Sequence, residues 1–277
     1  MKRLLAIELQ KIWKSRSSRI LTLTYFIFLT FLSLIASIKF DIGPIHIRLA
    51  DQGIFNFPFI WHFNTYFAGW LKLFLAVVIV SMMANEYSYG TLKQNLIDGM
   101  SKKEFLTSKV LTIILFSAIS TLFVFVVSLI LGLIFSSFTE VDIIFSRMEY
   151  LMAYFVKLVG FFSFCLFLGV LIKRSAFALG FLLLWFVFEW ISYAVAYNNL
   201  RNTELVTKIW DFFPLMSMWN LIEEPITKLN AIRTIGNQVG VDNTKDYDVH
   251  LSTILIVLAW TAIFIFSSYK IIQKRDL

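Results

Sequence analysis

The sequence predicts an all-α polytopic membrane protein with six spans, and two observations carry that prediction. Hydrophobic residues make up 58% of the chain against 16% charged, where a soluble domain is about half apolar and a quarter charged. They also gather in six runs, 20–38, 61–84, 108–135, 150–172, 176–197 and 251–269, each long enough for a helix to cross about 30 Å of hydrocarbon. Backbone groups in lipid must be satisfied within their own segment, which favours helices, and the alternation of a barrel strand is missing. The runs and their short connections make one transmembrane domain over residues 1–277.

Residues 1–19 place Leu5, Leu9, Ile12 and Trp13 on one helical face, with Arg3, Lys11 and Lys14 opposite. This predicts an amphipathic helix along the inner leaflet; because Leu4 and Ile7 fall off the stripe, a plain basic flank is the alternative. No small-x-small site stands around Ala36 and Ser37, so the first run is expected to stay as an anchor. With the amino terminus inside, inner segments hold 15 Lys and Arg and outer segments 8. That asymmetry predicts a cell (plasma or inner) membrane protein with both termini cytoplasmic. The net charge of +7 thus follows the membrane and gives no reason to expect nucleic acid. Cys165 is the only cysteine, which excludes a disulfide framework.

The outer segment 198–250 is the one long extramembrane stretch. Within it 209–222 (IWDFFPLMSMWNLI) is aromatic, too short to span and interrupted by Pro214, as for an interfacial or re-entrant helix. The polar run 236–248 reads as loop.

No phosphate-cradling G-x-x-x-x-G-K-[ST] occurs, and His46, His62 and His250 lack metal-ligand spacing. The chain is therefore not expected to be an enzyme by itself or to bind a cofactor or metal. Energy for any work on a substrate must come from an ion gradient or a partner.

The inner loop between the second and third runs, NEYSYGTLKQNLIDGMSKKEFLTSK over 85–109, is the most informative segment. Glu86 stands at a membrane exit. Gly90 and Thr91 can start a short helix, Leu92, Leu96 and Ile97 give it an apolar face, and Gly99 can end it. Such a helix suits docking to a cytoplasmic partner, or resting on lipid. The pattern Glu86, Gly90, Thr91, Leu92, Leu96, Gly99, Ser101, Lys102, Lys103, Phe105, Leu106 and Lys109 resembles the signature loop of type-2 ABC transporter permeases, whose interface helix, six spans and short outer helices also match this chain. Lys102 and Lys103 stand where many members have one Arg, and the last outer loop is longer than usual. The resemblance implies that Glu86, Tyr87, Gly90, Thr91, Leu92, Leu96 and Ile97 belong to a coupling segment within 86–105, with a helix over 87–97 seated on a separate ATPase subunit. ATP and Mg would be bound by that partner, and a second permease copy or a related permease would complete the pathway.

Lys72, Lys157 and Glu189 lie within spans, which needs a reason. Glu189 is expected to pair with Lys157 or Lys72, fixing the bundle or lining the pathway, with snorkelling of both lysines as the alternative. Trp61, Trp70, Trp210 and Trp219 are assigned to an interfacial belt. The function expected is the membrane subunit of an ABC exporter, its cargo an amphipathic peptide or drug. The alternatives are an ion-driven secondary transporter, with Glu189 as the proton-linked group, and a non-transporting scaffold for an envelope complex.

Overall fold

Each apolar run forms a helix, and most of these helices continue past the run itself. The computed structural model describes residues 2–35, 39–42, 45–48, 53–200, 203–229 and 245–275. The helices are α1 (Lys2–Lys14), α2 (Arg16–Ile35), α3 (Phe59–Ser88), α4 (Thr91–Ile97), α5 (Lys102–Phe135), α6 (Val141–Ile144), α7 (Glu149–Ile172), α8 (Ser175–Asn199), α9 (Thr203–Trp210), α10 (Pro214–Asn220) and α11 (Leu251–Lys274). Five stretches, α3, α5, Val141–Ile172, α8 and α11, are long and apolar enough to cross a membrane, so the chain is a multi-pass membrane protein. The helix on the first run, α2, has 20 residues and packs along α3; positions 36–38 of that run lie outside the described residues.

A side-chain cap explains the extension of α5. Ser101 Oγ accepts from the Glu104 amide at 3.1 Å and Glu104 Oε2 accepts from the Ser101 amide at 2.9 Å. This capping box starts α5 six residues ahead of its apolar run. Among the described residues the departure from helix is a short antiparallel pair, β1 (Lys39–Ile42) and β2 (Ile45–Arg48), with Phe40 opposite Ile47. The all-α class holds, with that short strand pair beside the helices.

α7 is the central helix, packed on α3, α5, α8 and α11. Small residues let the neighbours close in, since lipid gives helices no hydrophobic reason to associate. A Cβ on Gly160 would lie 2.8 Å from Val257 Cγ1 of α11, and one on Gly169 would lie 3.0 Å from Met83 Cβ of α3. Polar pairs add specificity: Asn64 donates to Ser128 Oγ at 2.8 Å, and the Tyr25 and Tyr154 hydroxyls share a bond of 2.9 Å. α8 is peripheral, burying only Ala178, Leu182 and Glu189.

The segment after α8 folds back into the bundle. α10 lies against α7, α8 and α11 with Pro214, Leu215, Met216, Ser217 and Met218 buried. Within 209–222 it is thus α10 that packs among the long helices. The polar-loop reading of 236–248 lies outside the described residues up to position 244.

Candidate functional site

Two polar regions interrupt the apolar bundle, one at the α4 pole and one at the α10 pole. At the α4 pole, Glu86 in the last turn of α3 collects three donors. Lys109 Nζ of α5 reaches Oε1 at 2.6 Å, Lys11 Nζ of α1 reaches the same oxygen at 2.9 Å, and the Thr91 hydroxyl at the start of α4 donates to Oε2. Lys109 also donates to Glu8 Oε2 at 2.6 Å. Glu8, Glu86 and Lys109 are buried. A lone charge there would be costly, and mutual pairing with hydrogen bonds lowers that cost. The cluster joins α1, α3, α4 and α5 through one carboxylate.

Basic residues at this pole also cap helix C-termini, where unsatisfied carbonyls carry partial negative charge. Arg275 Nη1 donates to the Val170 carbonyl at 2.6 Å and Nη2 to the Leu171 carbonyl at 3.2 Å, closing α7. It also donates to the Tyr87 hydroxyl at 3.0 Å. Lys102 Nζ donates to the carbonyls of Gln273 and Arg275, closing α11.

The structure revises the sequence reading of the loop residue by residue. Tyr87 belongs to α3, which runs unbroken to Ser88, so the separate helix begins at Thr91 rather than at 87. Gly90 makes the corner at φ +67° and Gly99 follows the end at φ +95°, both in the left-handed region that suits glycine. Leu92 is buried and Leu96 partly so, whereas Ile97 is 69% exposed. The apolar face of α4 thus turns mostly inward. Its outer face is Lys93, Gln94, Ile97 and the preceding Tyr89, which is 76% exposed.

In α1 the inward face is Leu5, Glu8, Leu9 and Ile12, while Trp13 of the expected stripe is 55% exposed. Glu8 is the functional residue that the sequence reading missed. Its signal was its place between Leu5 and Ile12 at helical spacing, a carboxylate inside an apolar stripe.

At the α10 pole the expected ion pair between Glu189 and Lys72 or Lys157 is absent: no lysine lies within 4.0 Å of Glu189 among the described residues. Glu189 instead accepts from Trp185 Nε1 at 2.6 Å, the Met216 amide at 2.8 Å and the Leu215 amide at 3.3 Å. The first amides of α10 need an acceptor, and the carboxylate supplies it. Snorkelling of the lysines is also ruled out by burial, because Lys72 is 8% and Lys157 3% exposed. Lys157 Nζ donates to the Trp219 carbonyl at 3.3 Å, and Lys72 Nζ lies 4.4 Å from the centre of the Phe161 ring. Both ammoniums face the Trp219 ring, at 5.8 and 6.0 Å.

These residues border a chamber of about 390 Å³ between α3, α7, α8 and α10, walled by Trp70, Leu73, Phe161, Leu182, Phe186, Trp190 and Trp219, with Lys72 in its lining. Trp219 is the hub of the aromatic wall, edge-on to Trp70 at 5.0 Å and to Trp190 at 6.0 Å. The belt assignment is corrected for Trp61 and Trp219. Trp219 lines the chamber, and Trp61 is fully buried with its Nε1 donating to the Ile144 carbonyl at 2.8 Å. A second cavity of about 420 Å³ shares Trp70, Trp190 and Trp219 and is rimmed by Asp211, Glu223, Glu224 and Lys245. Burial alone would raise the Glu224 carboxyl, but hydrogen bonds from Thr227 and Lys245 outweigh it and hold the group below the usual carboxylate range.

Among the described residues no group of three or more His, Cys, Asp and Glu could hold a metal ion. The family model described as "Protein of unknown function (DUF2705)" matches residues 45–277. "Uncharacterized protein YhcI" of Bacillus subtilis (strain 168) is 38% identical over 63 residues, 23% of this chain and 20% of that protein. The chain therefore spans about a fifth of the length of the curated relative it matches.

Proposed function

We propose that this chain, which belongs to the DUF2705 family of proteins of unknown function, is the membrane-spanning permease subunit of an ATP-driven ABC exporter. In this reading α2 is the sixth span, both termini and the α4 pole are cytoplasmic, and the cell membrane is its site. A separate ATPase binds ATP and Mg and seats α4 in a cleft, while a second permease copy or a related permease completes the pathway. The chain itself hydrolyses nothing.

One observation carries the reading. α4 is a seven-residue helix with an exposed outer face, and its first hydroxyl is tied to a carboxylate that α1 and α5 also hold. A partner that moves α4 therefore acts at once on the interface helix and two spans, which is what coupling requires: a differential contact that biases a packed element. The cargo in this reading is an amphipathic peptide or drug that crosses toward the α10 pole.

Co-expression with an ATPase encoded beside it tests the proposal. Ile97→Asp with Lys93→Glu changes only the outer face of α4 and is expected to abolish co-purification of the ATPase without lowering the amount of membrane-inserted chain. An isolated chain that moves cargo on a pH gradient would overturn it.

A further inference from the structure

We propose that the chamber under Trp219 binds an anionic amphiphile taken laterally from the membrane, its acid group held by Lys72 in the lining, with Lys157 behind it. As a statement about cargo this rests on the export reading; as a binding site it does not.

Lys72 and Lys157 are both buried, and no carboxylate lies within 4.0 Å of either among the described residues. Their nearest partners are a carbonyl and the faces of Phe161 and Trp219. An ammonium in an apolar lining gains strongly from an anion beside it, because water does not screen the pair there. The rest of the chamber is apolar and aromatic, and its volume of about 390 Å³ falls within the usual range of small-molecule sites. A ligand that fits has one acidic end and an apolar body.

The mouth fixes the route. Trp70, Leu73 and Leu183 of the lining are 54%, 48% and 56% exposed and lie on helices apolar enough to cross a membrane, so this side opens toward acyl chains. The other approach passes a rim of three acids, Asp211, Glu223 and Glu224, against one base, Lys245, which Glu223 and Glu224 already hold, so it offers an anion little. A membrane-partitioned acid bypasses that rim.

Tryptophan quenching on the purified chain, held in nanodiscs of zwitterionic lipid at neutral pH, tests the proposal. Dibrominated stearate is the probe and its methyl ester the neutral control. Saturable quenching by the acid, at least about tenfold tighter than by the ester, is expected. Lys72→Met with Lys157→Met should reduce acid binding to the level of the ester, and Lys72→Arg should retain it. Equal binding of acid and ester, which needs no variant to fold, overturns the proposal, as does an unchanged affinity in the double variant. Saturable quenching by dibrominated phosphatidylcholine at similar affinity overturns it too, since the site would then be ordinary lipid contact. Saturable acid binding by a chain that captures no ATPase keeps the chamber and removes the exporter; ATPase capture without acid binding does the reverse.

Discussion

The Glu86 carboxylate and the Lys109 ammonium meet at 2.6 Å with 3% and 0% of their side chains exposed, and all of α4 lies in the chain between them. Removing one member of a buried pair strands the other, which costs about 3 kcal/mol or more, whereas removing both is far milder. Glu86→Ala is therefore expected to destabilise the protein by about 3 kcal/mol, and Lys109→Met with Glu8→Gln added to it, which leaves no buried charge of the cluster stranded, should recover most of that loss. Glu8→Ala costs less than Glu86→Ala, because Lys109 keeps Glu86. Denaturant unfolding of the four proteins in detergent measures each step; a triple variant no better than Glu86→Ala would show that Glu8, Glu86 and Lys109 do not act as one unit.

Gly90 isolates backbone geometry from packing. Its φ is +67°, yet nothing lies within 4 Å of where a Cβ would sit. Substitution should cost only the left-handed conformation, about 1 kcal/mol for Ala. Asn, which tolerates that region, should cost less and Val more. Hydrogen exchange at residues 91–97 reads the corner directly; equal effects of Asn and Val would mean that something other than φ is being lost.

Much of this architecture is written in one-dimensional pattern. Hydrophobic length located the helices, and Gly90, Gly99 and Ser101 marked the breaks around α4 because turn and cap chemistry is local. Glu8 with Lys109 and the seat of α10 were not legible, because each depends on which helices become neighbours. A buried lysine reads alike whether it meets a carboxylate or an aromatic ring, so the sequence suggested a pair for Glu189 where the fold supplies two backbone amides. The strand pair 39–42 and 45–48 was missed because its strands have four residues each, too few for period-two alternation to stand out beside long apolar runs.

Outside the spans, Glu224 accepts from the Thr227 hydroxyl at 2.8 Å and from Lys245 at 3.3 Å. Burial opposes ionisation and these donors outweigh it, so the folded carboxyl titrates below its ordinary 4.5. A depressed carboxyl contributes stability above the unfolded value and loses it as pH falls through the folded one. The segment 223–229 is thus expected to lose protection from hydrogen exchange as pH drops below 4.5. Glu224→Gln should show a flatter profile. A wild-type profile as flat as that of the variant would remove Glu224 as the responsible group.

Glu189 holds α10, and α10 holds the chamber. The carboxylate accepts from the Leu215 and Met216 amides at 3.3 and 2.8 Å, and three to four residues on, Trp219 faces Lys72 and Lys157. Glu189→Gln keeps one acceptor oxygen and should leave α10 seated, at a cost of about 1 kcal/mol. Glu189→Ala leaves two buried amides without an acceptor, each worth about 1–3 kcal/mol, so α10 should loosen. Faster exchange over 213–220 and a red-shifted tryptophan emission would register that loosening. Exchanging Glu189 with Lys157 should not rescue the loss, since neither chamber lysine lies within 4.0 Å of the carboxylate. A swap that restores protection would reinstate the ion pair as the interaction that fixes α8 to the bundle, and α10 would then owe its seat to its apolar side chains alone.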